Sequence, residues 1–322
     1  MSDQNESVEY FPHTPVLLKE CIFHLMPSSE ADNLPGKNNF TMADLTFGGG
    51  GHSFSFLELN SQLRIMGVDQ DPDSIINAKK IITEKKLDER IRLYSMNFLD
   101  FTNLSEWNEN FCGFDAILLD LGVSSHQFDS EKRGFSFRYE SPLDMRMNYH
   151  DEDSNLFLTA SEIINETEEK ELADIFFQYG EERYSRRIAR KIVEIRKFSP
   201  IKSTTELAKI IISCYPKAKK AFRTHPATKC FQALRIAVNK ELEILENVIP
   251  KLIQLLSSNG KIGIISYHSL EDRIVKHQFK KIVQNDPNIG KIITKRPIIP
   301  TDMEIEKNPR SRSAKLRVFE KN

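Results

Sequence analysis

The chain lacks the residues that would mark a secreted, membrane-spanning or metal-stapled protein. Its four cysteines, Cys21, Cys112, Cys214 and Cys230, lie far apart and form no CxxC pair. That argues against structural zinc and suits a reducing cytoplasm, where lone cysteines are usually small buried apolar residues. No apolar run approaches the roughly 18 to 20 residues needed to cross a bilayer. The stretch Met1 to Glu9 is polar and acidic, without the basic and apolar regions of a secretory signal. Internal repeats and low-complexity segments are absent too. A cytoplasmic globular protein with no membrane partner and no metal is expected, and 39% hydrophobic with 28% charged residues agrees.

Net charge is nearly absent, at −1, but its distribution is uneven. Asp151 to Glu182 holds eleven acidic residues against one base, Lys170. Arg183 to Lys229 holds fourteen bases against two acids, Glu194 and Glu206, and Lys307 to Arg317 holds five bases and no acid. Any of these runs can be a solvated face, and the two basic ones can also be sites for a polyanion, because Lys and Arg replace counterions condensed on phosphates.

Short β-branched runs alternate with helical patterns up to Ser125, the signature of βαβ units in a parallel sheet. Strands are expected at 40–47, 63–69, 91–98 and 114–123, with helices over 53–59 and 74–86. The run FDAILLDLGV has the near-continuous apolar character of a strand covered on both faces. From about 130 to 228 the pattern is helical: Ile163, Leu172, Ile175, Phe176, Ile188, Ile192, Leu207, Ile210 and Ile211 recur at three- and four-residue spacings. A long helix over 230–256 stopping at Asn259-Gly260, then strands over 261–267, 291–299 and 314–319, complete the chain. The expected division is 1–129 with 229–322 for an open α/β sheet, interrupted by a helical insertion over 130–228.

Gly48-Gly49-Gly50-Gly51-His52 follows the first strand and opens a helix, so backbone can approach a ligand with no Cβ in the way. Alone this is only a permissive turn. Asp69 ends the next strand, where doubly wound folds place a carboxylate for ribose hydroxyls, and the pair points to an adenosine-containing cofactor. A dinucleotide fingerprint reads GxGxxG, with its third glycine inside the helix. Here Phe54 stands where that small residue is needed. The methyltransferase pattern D/E-x-G-x-G-x-G fits Asp44 to Gly50 except that Thr46 replaces the first glycine. S-adenosylmethionine carries an ammonium group and no pyrophosphate, so an acid before the loop is sensible. His52 either contacts the methionine end of that cofactor or caps the helix. Asp120 lies at the carboxyl end of the fourth strand, the ligand side of an open sheet, or is a strand-end acid capped by serines. Phe135 and Phe137, near Arg146 and Asp144, are either a platform for a base or core aromatics.

The chain resembles the bacterial small-subunit ribosomal RNA cytosine-N4 methyltransferases of the MraW/RsmH type. The resemblance runs from His13-Thr14-Pro15-Val16-Leu17-Leu18 to the tail. It is carried by GGGGHS, ILLDLGVSS (117–125), RGFSF (133–137), PLDMRM (142–147), YGEER (179–183), HPATKCFQALRIAVNKEL (225–242), SYHSLEDRIVK (266–276) and NPRSRSAKLR (308–317). It implies an α/β class I S-adenosylmethionine-dependent methyltransferase fold, a Rossmann-like doubly wound sheet with an inserted helical domain. It implies cofactor contacts at Gly50, Gly51, His52, Asp69, Phe98, Asp120 and Gln127; the last has His126 before it where the family often has proline. The implied substrate is 16S ribosomal RNA within the small subunit, methylated on the exocyclic N4 of cytidine 1402 in the decoding centre, with the inserted domain recognising RNA. The Asn/Asp/Ser-Pro-Pro-Tyr/Phe tetrapeptide of many amino-methyltransferases is replaced here by Asp120-Leu121-Gly122-Val123, so no catalytic residue is assigned. Asp120 is expected mainly to position the cofactor, and acceptors near Ser124, Ser125 or His268 to face the base. A homodimer is one option left open.

Overall fold

The computed structural model describes residues 15–26, 40–108, 110–124, 127–128, 130–148, 158–216 and 225–322. The expectations for His13, Thr14, Ser125, His126 and parts of the acidic and basic runs (151–157 and 217–224) lie outside the described residues. The chain forms two compact units, one of residues 1–122 with 244–322 and one of 123–243. The division falls at Gly122/Val123 and Glu243/Ile244, outside the expected 130 and 228.

In the first unit, α1 (Leu18–Leu25) precedes β1 (Phe40–Asp44), α2 (Gly51–Leu59), β2 (Leu63–Asp69), α3 (Pro72–Glu84), β3 (Ile91–Ser95), α4 (Phe98–Phe101) and β4 (Phe114–Asp120). The second unit contributes α5 (Ala160–Glu166), α6 (Glu169–Gln178), α7 (Ser185–Arg196), α8 (Thr204–Ser213) and α9 (Thr228–Asn239). α10 (Glu241–Gln254), β5 (Leu256–Ser266), α11 (Ser269–Asn285), β6 (Gly290–Ile292), α12 (Asp302–Lys307), a 3-10 turn (Pro309–Ser313) and β7 (Lys315–Lys321) end the chain. The expected long helix over 230–256 is two helices. Lys240 takes a left-handed conformation (φ 49°) that closes α9 before α10 begins. Asn259-Gly260 is not a helix stop. It lies inside β5 at a bulge, where β4 residues Phe114 and Ala116 pair with Leu256 and Lys261.

The sheet order is β3-β2-β1-β4-β5-β7-β6. All pairs are parallel except β5–β7 and β7–β6. This is the class I methyltransferase fold. Alternation along the central strands builds two layers. Ala43, Ile117, Leu119, Ile262 and Ile264 face one core with α10 and α11. Met42, Ala116, Leu118, Ile265 and Leu316 face the other with α1, α2 and α3. Ala116 to Leu119 are fully buried, which explains their continuous apolarity. The chain runs outward from β1 to β3, then returns to β4 beside β1. Asp44 and Asp120 therefore end strands at the point where strand order reverses, the place open α/β sheets offer to ligands.

The helical unit has a core of its own, in which Ile163, Leu172, Phe176, Ile188, Ile192, Leu207 and Ile211 meet, as their helical spacing anticipated. α5 begins at a capping box, with Thr159 and Glu162 satisfying each other's backbone amides.

Candidate cofactor site

The glycine turn is fixed from within. Gly48 (φ 50°) and Gly50 (φ 74°) occupy the left-handed region, and a Cβ on Gly50 would lie 2.6 Å from the Phe54 ring and 2.9 Å from Phe47. Phe54, the residue that spoiled a dinucleotide fingerprint, packs edge-on against Phe47 at 5.9 Å between centroids. Asp44 is buried, accepting from the Ser53 hydroxyl at 2.6 Å and the Thr46 amide at 3.4 Å. It thus ties the end of β1 to the first turn of α2, and burial raises its carboxyl above the usual range against the hydrogen bond from Ser53. Thr46, which departs from the glycine pattern, uses its hydroxyl to accept the Asp120 amide at 2.6 Å. The departure links β1 to β4.

Asp69 accepts the Gly48 amide at 2.7 Å and the Asp71 amide at 2.8 Å, one on each oxygen. Burial pushes its carboxyl up to about 7, the two amides opposing. An amide of the glycine turn, which in a phosphate-binding loop would meet a phosphate, is therefore taken by a carboxylate. Each Asp69 oxygen keeps a further lone pair.

Asp120 accepts a 2.7 Å hydrogen bond from the Tyr267 hydroxyl on Oδ1. Its Oδ2 faces His52 Nδ1 at 3.8 Å. His52 Nε2 is 2.9 Å from the Val16 carbonyl, an acceptor, so the ring donates there and turns an unprotonated Nδ1 toward Asp120. Burial lowers the imidazole, keeping it neutral. Burial likewise raises Asp120 to about 7; its side chain keeps 24% of its surface exposed, so solvent moderates that push. Two acceptors thus face each other across a gap that wants a donor. Among the described residues, no Lys or Arg pairs with Asp44, Asp69 or Asp120. An uncompensated acidic rim suits a ligand carrying ammonium and sulfonium charges and repels a pyrophosphate. These residues fit S-adenosylmethionine.

Phe98 starts α4 three residues beyond the Asp69–Ser95 pairing of β2 with β3, once Asn97 has capped the turn, and is half-buried. The structure thus brings Gly50, Gly51, His52, Asp69, Phe98 and Asp120 to one end of one unit. Gln127 belongs to the other unit, where it is buried. There it accepts the Ser124 amide at 3.0 Å, and its own amide donates to the Ser124 hydroxyl at 3.2 Å. Tyr267, Thr46 and Ser53 were not anticipated. Only the position of Tyr267 after a buried strand could have signalled it.

Several of the motif residues are engaged by the fold itself. Phe135 is buried in the helical core, and Phe137 stacks on His225 (4.4 Å between centroids) and packs edge-on against Phe231. Neither is presented as a platform for a base. The charged residues beside them serve the fold: Arg146 and Asp144 form a bidentate pair (2.9 and 2.7 Å), and Arg133 is buried with its guanidinium donating to the Arg146 and Met147 carbonyls. His268 caps α11 and exchanges capping bonds with Glu271, so its Nδ1 is used in the fold. In YGEER, Glu182 is buried and accepts from the Tyr184 amide and the Tyr215 hydroxyl.

A doubly wound sheet with an acidic, donor-seeking rim at its switch point defines an S-adenosylmethionine-dependent methyltransferase. Within that class the chain belongs to the MraW methylase family, whose profile it matches over residues 10–322. It is 47% identical over 313 residues to a ribosomal RNA small subunit methyltransferase H of Nostoc sp., covering 96% of each chain. It is 47% identical over 311 residues to the protein of that name in Trichormus variabilis, covering 97% of this chain and 92% of the relative. The corresponding Prochlorococcus marinus protein is 43% identical over 310 residues, at 96% of each.

Proposed function

We propose that this enzyme transfers the methyl group of S-adenosylmethionine to the exocyclic N4 of a cytidine in the decoding centre of 16S ribosomal RNA, acting in the cytoplasm on the small subunit. The observation that carries the reading is the acidic cofactor rim joined to near-full-length similarity with ribosomal RNA small subunit methyltransferases.

The bound cofactor supplies an electrophilic methyl on a sulfonium, and the protein's work is chiefly alignment. Asp69 and Phe98 hold the nucleoside end, Gly50 and Gly51 let the backbone approach, and His52 with Asp120 receives the ammonium end. Gln127, fastened to Ser124, is the remaining contact that the family resemblance implies. A cytosine amine is a weak nucleophile because its lone pair is delocalised, and an acceptor near it would take the proton late. Asp120, held on Oδ1 by Tyr267, has Oδ2 free for the cofactor. Asp120→Asn is expected to weaken cofactor binding and to lower turnover in step with it. Full binding with abolished turnover would make Asp120 a catalytic acceptor instead.

The helical unit serves RNA recognition. α7 buries Ser185, Ile188, Ala189 and Ile192, while Arg186, Arg187, Arg190 and Lys191 are exposed, with Arg183 just before it. The nearby acids neutralise little of this face: Glu169 and Glu194 lie at 3.4 Å in exposed pairs. The tail cluster offers fewer cations, since Arg317 is held by Asp272 at 2.6 Å. Reversing Arg186 and Arg187 to glutamate should weaken RNA binding by at least ~10-fold and flatten its salt dependence by about one unit of slope for each phosphate no longer held. Filter binding across a salt series checks it, and unchanged affinity returns the face to simple solvation.

Labelled methyl transfer to 30S subunits, free 16S RNA and DNA tests the substrate. Nucleoside analysis of cells lacking the protein should show N4-methylcytidine lost from small-subunit RNA. Persistence of that nucleoside, or transfer to DNA alone, overturns the reading.

A further inference from the structure

We propose that a cavity at the carboxyl end of β5 is a subsite for one nucleotide of the RNA substrate, its base against Ile299, Pro300 and Ile305 and its phosphate at Arg312 and Lys315. The inference rests on the function proposed above. The cavity measures about 300 Å³, the lower end of the range for small-molecule sites and large enough for a single nucleotide but not for a duplex. All its lining residues belong to the first unit.

Its chemistry is divided as a nucleotide is divided. Ile299, Pro300 and Ile305 offer apolar surface, and Ile299 is 63% exposed, an apolar side chain left open beside the cavity. Arg312 is exposed and forms no ion pair among the described residues. Lys315 is only loosely held, 3.4 Å from an Asp272 carboxylate that Arg317 already engages at 2.6 Å. A phosphate could therefore recruit both cations without stripping Arg317 from Asp272. The Asp272–Arg317 pair also braces α11 against β7, so the cavity sits on a fixed frame.

Tyr267 connects the cavity to the chemistry. It lines the cavity, while its hydroxyl donates to Asp120 at the end of β4. A nucleotide seated there would lie one side chain from the carboxylate that receives the cofactor. The cavity also brings together SYHSLEDRIVK, of which the cofactor site uses only Tyr267, and NPRSRSAKLR, which it does not use, although 31 residues separate the two motifs.

Two variants of the full-length protein test this: Arg312→Glu, which reverses the charge, and Ser313→Trp, which fills the cavity from an exposed lining position. Cytidine 5′-monophosphate binding is followed by saturation-transfer NMR, alongside inorganic phosphate, and methyl transfer to RNA gives KM and kcat separately. Both variants should keep the wild-type melting temperature and cofactor affinity, weaken cytidine monophosphate by ~10-fold or more, and raise KM for RNA with kcat little changed. Unaltered nucleotide binding in Arg312→Glu overturns the subsite, as does inorganic phosphate competing as well as the nucleotide. If Ser313→Trp fails to fold, Arg312→Glu and the phosphate comparison still decide. Wild-type protein that binds the nucleotide yet methylates no RNA would instead defeat the proposed function and leave a nucleotide site in place.

Discussion

Asp69→Asn is expected to weaken S-adenosylmethionine binding by ~10- to 100-fold and to reduce its dependence on pH. The carboxylate is proposed to do two things at once: its oxygens hold the Gly48 and Asp71 amides, and the lone pairs they keep would accept the ligand's hydroxyls. Asparagine has a single acceptor oxygen, so one amide of the turn or the ligand hydroxyl must lose its partner. A hydrogen bond to a charged group contributes about 1.5–3 kcal/mol, which gives the expected range. The pH dependence follows from burial, which raises Asp69 to about 7. Binding through the ionised form favours deprotonation, so wild-type affinity should improve between about pH 6 and pH 8. Stability of the ligand-free protein runs the other way. A carboxyl raised on folding contributes stability that is full below its unfolded value near ~3.9 and is lost as pH rises through about 7. Calorimetric titration at several pH values checks both the affinity and its slope. Equal affinity in the variant would remove Asp69 from the site.

Arg133→Met should destabilise the helical unit by about 3–5 kcal/mol while leaving the cofactor rim intact. Arg133 is among the largest fully buried side chains, and its guanidinium donates to two main-chain carbonyls, Arg146 at 3.1 Å and Met147 at 2.8 Å. The Arg133 carbonyl in turn accepts the Met145 amide. Methionine fills much of the volume but takes that donor from a buried carbonyl, Met147, and a part-buried one, Arg146, at roughly 1–3 kcal/mol each. Next to it Gly134 sits at φ 76°, where a Cβ would come within 2.2 Å of the Pro142 carbonyl oxygen. The two loop motifs are thus one packed object. Denaturant unfolding followed by circular dichroism measures the destabilisation; a change under ~1 kcal/mol would mean that other donors serve those carbonyls.

The same motif shows what sequence could and could not reveal. RGFSF and PLDMRM were legible as unusual, with aromatics beside charges, and that composition suits RNA as well as it suits a brace. Only the three-dimensional partners distinguish the two. Phe137 stacks on His225 from a distant segment of the chain, and Arg146 turns back on Asp144. Likewise Asp44 was legible as an acid placed for a cation, yet its carboxylate is engaged by Ser53 and Thr46. His268 is a polar group that sequence places near the substrate, and its Nδ1 also caps a helix. Short polar side chains carry the same formula whether they bond a ligand or their own backbone, so type and spacing leave the choice open.

What the sequence determined by itself was periodicity and order. Alternating apolar runs set the strands of the first unit, three- and four-residue spacings set the helices of the second, and a glycine turn followed by Asp69 marked the cofactor end. These are local properties, fixed by backbone sterics and by which face of an element must be buried. The tertiary structure decided what depends on distant partners: the break at Lys240, the bulge in β5, the exposed arginine face of α7 and the Thr46–Asp120–Tyr267 linkage across β1, β4 and β5. Tyr267 reaches Asp120 across 147 residues of chain. Only the folded sheet, which lays the ends of β4 and β5 side by side, makes them neighbours.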